Sequence, residues 1–383
     1  MKILYNFSNF SPITGGGTTN LTSKLMMELK ERGHDVTLYT SDYKQDNDYI
    51  NKLGVRALPF KDIINLSGLH FTPELFNIAK KDISNYDVIH LHAQRSLQHA
   101  PICYYAHKCG VPYIIDSHGS TPKTGRKLMK VIYDTIFSNM IYKNCSHFIA
   151  ENEFGKQEYI TLGIPEDKIT IIHPQPFPIE DFLNTTPPDL FKNTFNIDKN
   201  KKIIMSFGRI HPIKGIIHSV EGFARVLKRR NDVVLVIVGG DDGGMNQINK
   251  KIKELGIGND VILTGFVTGE LRLSAMAAGD VAIQTSIYEQ GAWSLFEIVL
   301  CGTPIIASSH TGAGIDVKRI DAGYLVDIYN YDEIANTINY VLDHPYESKQ
   351  KAQNGRDYLI SEASIHKVIE KFESVYEKCL KKG

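Results

Sequence analysis

Short Val/Ile-rich runs alternating with stretches of helical periodicity, twice over, constrain this chain more than any other feature. The first half offers KILYNF, DVTLYT, VRALPF, DVIHLHA, PYIIDSHG, SHFIAEN and KITIIH as strands. Helices are expected over residues 18–32, closed by Gly33, and near residues 73–84, with further helical segments between the later runs. Strands buried on both faces of a parallel sheet read as continuous apolar runs, so the alternation predicts α/β architecture. At about Pro174 the pattern breaks, and HPQPFPIEDFLNTTPPDLFKN holds five of the 15 prolines. That stretch reads as a linker. Alternation resumes with KKIIMSFGR, VVLVIVGG, DVILTGF, DVAIQTS, TPIIAS and GYLVD, and helices follow Asp332. At 383 residues two domains are the default. The expected organisation is a Rossmann-like domain over 1–174, a linker over 175–199 and a second Rossmann-like domain over 200–362. Their parallel sheets would face a central cleft, where ligands bind beyond the strand C-termini.

Composition narrows the function classes. Lys plus Arg equals Asp plus Glu at 43 each, so bulk electrostatics favours neither nucleic acid nor a membrane. Five cysteines without CxxC spacing suggest reduced thiols in a cytosolic compartment. MKILYNF lacks a long apolar signal region, and no apolar run of about twenty residues follows, so neither export nor a membrane span is expected. The sequence contains no HExxH, no EF-hand loop, no GxxxxGK[ST] and no GxSxG elbow, and a dedicated metal site is not expected. Asp46-Asn47-Asp48 has the form of a metal-holding DxD, but no apolar strand end precedes it, and it reads as a surface loop.

The residues with chemical potential cluster after strand ends. Glu289 follows the run VAIQTS, and residues 292–301 read as a short helix stopped by Gly302 and Pro304, with Glu297 inside it. Backbone N–H groups at that helix start suit a phosphate, with a hydroxylated group at each acid. The alternative is a solvated loop acid followed by an ordinary helix acid. GRIHPIKG places Arg209 and Lys214 between a strand end and a helix start, where a bidentate fork and a point charge suit a diphosphate. Two solvated cations are the plain alternative. Gly15, Gly16 and Gly17 follow the first strand and let the backbone approach an anion, though they do not form GxGxxG. His118 ends PYIIDS, where a turn histidine bonded to a carbonyl is equally natural. Asp241 and Asp242 in VGGDDGG suit sugar hydroxyls, or merely a turn.

Together the Gly-rich loop, His118-Gly119, GRIHPIKG, VGGDDGG and the stretch from Glu289 to Ser308 resemble the retaining glycosyltransferases of family 4, with the GT-B fold, in the family's order. The resemblance implies transfer of a sugar from a nucleotide diphosphate-sugar donor, UDP- or GDP-linked, to a glycan or lipid-linked acceptor, with no metal and no cofactor. It implies that Arg209 and Lys214 grip the diphosphate and that Gly16 and Gly17 offer N–H groups to the distal phosphate. Glu297 would hold the ribose and Glu289 the transferred sugar. His118 would contact the sugar, and the backbone around Phe266 and Val267 would meet the base. Ala292, Trp293 and Ser294 would line the substrate at the helix start, with Asp242 nearby. The family usually has Phe-Gly where Gly291-Ala292 stands and Pro where Gln290 stands, which bears on the donor sugar. The last helix, Ile365–Leu380 within 363–383, would pack back on the first domain, the acceptor side. Lys123, Arg126, Lys127 and Lys130, followed by Ile132, Tyr133, Ile136, Phe137, Met140 and Ile141, offer either membrane contact through 123–144 at a cytoplasmic membrane face or a helix's core face. A nucleotide-sugar epimerase and a non-catalytic nucleotide-sugar binder remain as alternatives. An NAD dehydrogenase is disfavoured by the lack of GxGxxG.

Overall fold

A computed structural model describes residues 1–383 apart from 12–15, 67–68, 121–126, 184–186, 292 and 382–383. The chain divides into two units, Met1–Phe177 with Ala363–Gly383, and Pro178–Glu362.

Among the described residues the first unit has nine strands: β1 (Lys2–Asn6), β2 (Asp35–Ser41), β3 (Arg56–Phe60), β4 (Ile64–Leu66), β5 (Leu69–Phe71), β6 (Val88–His92), β7 (Tyr113–Asp116), β8 (His147–Ala150) and β9 (Ile169–Ile171). Seven form one parallel sheet in the order β3-β2-β1-β6-β7-β8-β9, while β4 and β5 make a small antiparallel hairpin. Strand order therefore reverses between β1 and β6. Leu4, Ile89, Leu91, Ile115 and Phe148 are fully buried, which is why these strands are apolar throughout.

Helix Ile365–Leu380 belongs to this unit and packs on helix Gly16–Glu31 and on β6. It buries Val368, Ile369, Phe372, Val375, Tyr376 and Cys379, the i, i+3, i+4 spacing of one helical face. Each large side chain so buried contributes about 1.5–3 kcal/mol. The Tyr5 and Tyr376 hydroxyls lie 2.7 Å apart, and Arg32 grips Glu373 with two bonds of 2.8 and 2.9 Å.

The second unit holds β10 (Lys202–Phe207), β11 (Val233–Val238), β12 (Val261–Gly265), β13 (Val281–Gln284), β14 (Ile305–Ser308) and β15 (Gly323–Val326). They form a parallel sheet in the order β12-β11-β10-β13-β14-β15, with its reversal between β10 and β13. Within residues 175–199, expected as a linker, the described residues from 178 onward are packed instead. They carry helices Glu180–Leu183 and Asp189–Thr194, and Phe191 and Ile197 sink into this unit's core because the stretch has its own apolar anchors. Asp46 also differs from expectation. It caps helix Asn47–Leu53, accepting from the Tyr49 N–H at 2.9 Å, so it is a helix start rather than a loop.

Candidate active site

In an open parallel sheet a ligand sits beyond the strand C-termini where the order reverses. In the second unit that place is the pair of loops after β10 and β13, and it gathers most of the predicted residues. Gly208 and Arg209 leave β10, a single turn of 3-10 helix spans Pro212–Lys214, and helix Ile216–Val226 follows. Gly215 joins the last two with φ +60°, and a Cβ there would meet the Thr285 carbonyl oxygen at 2.0 Å, so the position requires glycine. Thr285 in turn donates to the Gly215 carbonyl at 2.8 Å, and the Ile287 N–H donates to the Ile213 carbonyl at 2.9 Å. These bonds lock the two loops together.

The locked loops bring Lys214 Nζ within 2.5 Å of Glu289 Oε2, with both side chains about one-fifth exposed. Ser286 donates to the same oxygen at 3.3 Å, and the Glu289 carbonyl accepts from the Gly312 N–H at 2.8 Å. Arg209 is bonded to Asp242, and this pair is more exposed. Asp241 instead fixes the turn, its Oδ1 accepting from the Gly243 and Met245 N–H groups. Arg209 and Asp242 are brought together because the Ile210 carbonyl accepts from the Asp242 and Gly244 N–H groups, stitching the loops after β10 and β11.

Helix Trp293–Leu300 falls within the expected 292–301, with Glu297 inside it. Ala292 lies outside the described residues. Trp293 and Ser294 occupy the first turn, and Ser294 Oγ accepts from Gln284 Nε2 at 3.3 Å. Glu297 is bonded to Arg272, on helix Gly269–Ala278. Burial pushes the Glu297 carboxyl above its ordinary range despite the opposing guanidinium. Phe266 is 78% exposed just beyond β12, whereas the Val267 side chain is buried in the core, so only the backbone of Val267 can serve a ligand. Arg272 was not legible as a partner, since nothing in the spacing from 272 to 297 marks it.

In the first unit the predicted residues lie beyond β1 and β7. Gly16 and Gly17 form the first turn of helix Gly16–Glu31, whose initial N–H groups have no intrahelical acceptor, and Gly15 is outside the described residues. His118 follows β7 in a left-handed turn with φ +45°. Its ring is only 5% exposed and is held on both sides: Nε2 lies 2.8 Å from His92 Nδ1, and Nδ1 lies 3.2 Å from Glu151 Oε1 and 3.4 Å from Asp116 Oδ1. Burial lowers the His118 pKa, but Asp116 and Glu151 outweigh it and carry the group above its ordinary value. Burial pushes Asp116 up to about 7, with His118 opposing and Glu151 adding repulsion. His90 and His92 are driven well below the usual range by burial and by neighbouring imidazoles. Charge is therefore disfavoured on His90 and His92 and favoured on His118, which stacks on His92. Among the described residues, Asp116, His118 and Glu151 are the acids and imidazole that approach most like an ion's ligands, with ligand atoms within 4.8 Å of one another. Their contacts are also those that a shared proton satisfies. His92, Glu151 and Asp116 escaped the sequence reading, although each stands at or just beyond a strand end of the same sheet.

Known proteins resemble this chain in sequence and in fold. Residues 15–174 match the family described as Glycosyltransferase Family 4, and residues 189–358 match Glycosyl transferases group 1. An uncharacterized glycosyltransferase of Methanocaldococcus jannaschii is 25% identical over 394 aligned residues, covering 99% of this chain and 94% of the relative. The UDP-Gal:alpha-D-GlcNAc-diphosphoundecaprenol alpha-1,3-galactosyltransferase of Escherichia coli is 24% identical, over 79% of this chain and 77% of its own length. Among solved structures, Anabaena HepE in complex with UDP superposes with a TM-score of 0.81 at 18% identity, covering 99% of this chain and all of that one, which establishes the shared GT-B fold. Two matched halves in family order, full-length relatives and a common fold lead to one assignment: the chain belongs to the group 1/family 4 glycosyltransferases.

Proposed function

We propose that this glycosyltransferase is a retaining, metal-independent hexosyltransferase that uses a UDP- or GDP-sugar. The observation that carries the reading is the Lys214–Glu289 pair on the loops where β10 and β13 diverge, with Arg209 of the same β10 loop paired to Asp242 after β11. Fixed cations there would stabilise the departing diphosphate, a preorganised electrostatic effect that does not need a metal. The bond from the sugar C1 to the phosphate oxygen breaks, the acceptor oxygen bonds to C1 on the same face, and the acceptor's proton leaves with the phosphate. Glu289 would take the sugar hydroxyls and Glu297, oriented by Arg272, the ribose. Anabaena HepE was solved with UDP and glucose, which supports a UDP-sugar as the first donor to test.

The acceptor in this reading is a glycan or a lipid-linked glycan, met by the first unit at a cytoplasmic membrane face. The E. coli relative acts on a diphosphoundecaprenol-linked acceptor. Segment 123–144 divides its apolar residues between two faces. Tyr133 and Ile141 are buried, and Phe137 and Met140 pack on the core, while Leu128, Val131, Ile132 and Ile136 face outward at 73%, 38%, 49% and 61% exposure. The core-face explanation therefore accounts for the aromatics and not for these aliphatics. The segment's one acid, Asp134, is bonded by Arg95 through both oxygens at 2.8 and 2.9 Å. Aliphatic exposure in a segment that also carries Lys130 and Lys143, with Asp134 paired to Arg95, suits an anionic lipid surface. Lys123 and Arg126 lie outside the described residues. Among the described residues no helix is long and apolar enough to cross a membrane.

The deciding experiment incubates the protein with labelled nucleotide sugars, with and without lipid-linked and soluble acceptors, in EDTA. Acceptor-dependent donor consumption with retained anomeric configuration supports the reading. Donor conversion without acceptor would identify an epimerase, and binding without turnover a non-catalytic binder. Loss of activity in EDTA with rescue by a divalent ion would refute metal independence.

A further inference from the structure

We propose that His92 and Glu151 are positioning residues for His118, gripping its ring at both nitrogens so that the strained turn after β7 keeps one conformation. The inference rests on the glycosyl-transfer reading above, because it concerns how the first unit's strand ends are held ready for that reaction.

Left-handed backbone at a non-glycine residue costs on the order of 1–3 kcal/mol and persists only where the surroundings over-determine it. At His118 (φ +45°) the surroundings do so from three strands. Glu151, just past β8, accepts from Nδ1 at 3.2 Å, and His92, the last residue of β6, lies 2.8 Å from Nε2. The rings of His92 and His118 are parallel to within 5°, with centroids 5.1 Å apart. Asp116, the last residue of β7, stands 3.4 Å from Nδ1. The next turn is tied separately, the Ser117 N–H donating to the Tyr159 hydroxyl at 3.0 Å and the Ser120 N–H to the Ser117 carbonyl at 3.0 Å.

Two hydrogen-bond assignments agree with these contacts, and in both His118 Nδ1–H donates to Glu151. With His118 protonated, Nε2–H donates to His92 Nδ1; with a neutral His118 ring, Nε2 accepts from His92 Nδ1–H instead. No partner is found for His92 Nε2 among the described residues, so either arrangement leaves that buried nitrogen unsatisfied. An unsatisfied group is tolerated where a site is held to a purpose. Behind it the polar chain continues: His90 stacks on His92 with centroids 4.2 Å apart, and His90 Nδ1 lies 2.9 Å from the hydroxyl of Tyr376, itself 2.7 Å from that of Tyr5. His99 adds a third neutral imidazole near His92. Because both ring nitrogens are engaged within the protein and the ring is buried, His118 acts in this account through the placement of its turn. Direct ring contact with the transferred sugar is not part of it.

The test compares the wild type with Glu151→Gln, which keeps shape and removes the charge, and His92→Phe, which keeps a ring and removes the acceptor. Three measurements are needed: kcat and donor KM for sugar transfer, the pH profile of kcat/KM, and NMR of the His118 ring nitrogens. The expected result is a 10- to 100-fold fall in kcat with donor KM within about twofold, the scale seen when an orienting partner is removed. In Glu151→Gln the His118 titration, and with it the profile's basic limb, should move to lower pH. Should Glu151→Gln fail to fold, His92→Phe carries the same comparison. Wild-type kcat in both variants, with the His118 ring signals visibly altered, would overturn the proposal. So would a stoichiometric divalent metal in the purified protein that releases on Glu151→Gln. Failure of the function reading would look different: no sugar transfer by the wild type with any donor and acceptor, whatever the ring signals show.

Discussion

Lys214 and Glu289 are 75 residues apart in the chain, yet their side chains meet at 2.5 Å on two loops that share the Ile287-to-Ile213 bond. The ammonium is thus oriented by a carboxylate beside it, and the carboxylate by a serine and a lysine together. Neither side chain has to search for its place when a substrate arrives, which is the condition for preorganised electrostatics to count fully toward rate.

Lys214→Ala should lower kcat for sugar transfer by about 10²- to 10³-fold, the scale of losing one preorganised donor. Because the pair acts as a unit, Lys214→Ala combined with Glu289→Gln should cost much less than the two single losses summed. Steady-state kinetics on the three variants checks this, and additive losses would show that the residues work independently.

Arg272→Met should act on donor binding. Removing the guanidinium lets burial raise the Glu297 carboxyl further, so more of it is protonated near neutral pH. In the proposed role of Glu297 as the ribose acceptor, a neutral acid would accept more weakly, and donor KM should rise roughly tenfold, about 1.4 kcal/mol. Values of kcat should hold, since this contact serves ground and transition states alike. The defect should shrink as pH is raised and Glu297 ionises, and a defect independent of pH would contradict it.

Stability should fall as pH rises through neutrality. His118 holds its proton more tightly in the native state than unfolded, so its contribution is complete below its ordinary value near 6.5 and is lost as pH climbs through the raised native value. Asp116 has the same sign, its native value being pushed up to about 7 by burial, so its contribution is complete below about 4 and is lost as pH rises through about 7. Thermal melts between pH 6 and pH 8 should show a decreasing Tm for the wild type and a flatter profile for Asp116→Asn. An equal slope in both proteins would exclude Asp116 as a source.

Phe372→Ala should destabilise the first unit by about 3–5 kcal/mol, since the ring is wholly buried and leaves a cavity. Denaturant unfolding followed by hydrogen exchange should show the lost protection in β1 and β6 while β10 and β11 keep theirs. Equal loss in both sheets would mean that the two units unfold as one.

The fold was readable because its strands are buried on both faces, and such strands advertise themselves as apolar runs. The stretch expected as a linker over 175–199 misled for a related reason: it shows no good run of either period, while buried residues such as Phe182, Phe191 and Ile197 are scattered along it. At the site, residues in short motifs at strand ends could be found, as with Arg209, Lys214, Glu289 and Glu297. Their partners could not. Arg272 meets Glu297 from a separate helix, and His92 and Glu151 reach His118 only through the neighbouring positions of β6, β7 and β8. Pairings of that kind are set by sheet order, which local periodicity does not encode.

Helix Ile365–Leu380 lies against the sheet that holds β1, with all of residues 178–362 intervening along the chain. A ribosome therefore finishes the later-encoded unit while Tyr5 still waits for Tyr376 and the seat of Phe372 stays open. The part of the polypeptide that is translated first is consequently the part whose core closes last, and a nascent chain stalled before residue 365 would present an uncovered apolar groove to whatever chaperone or protease is near.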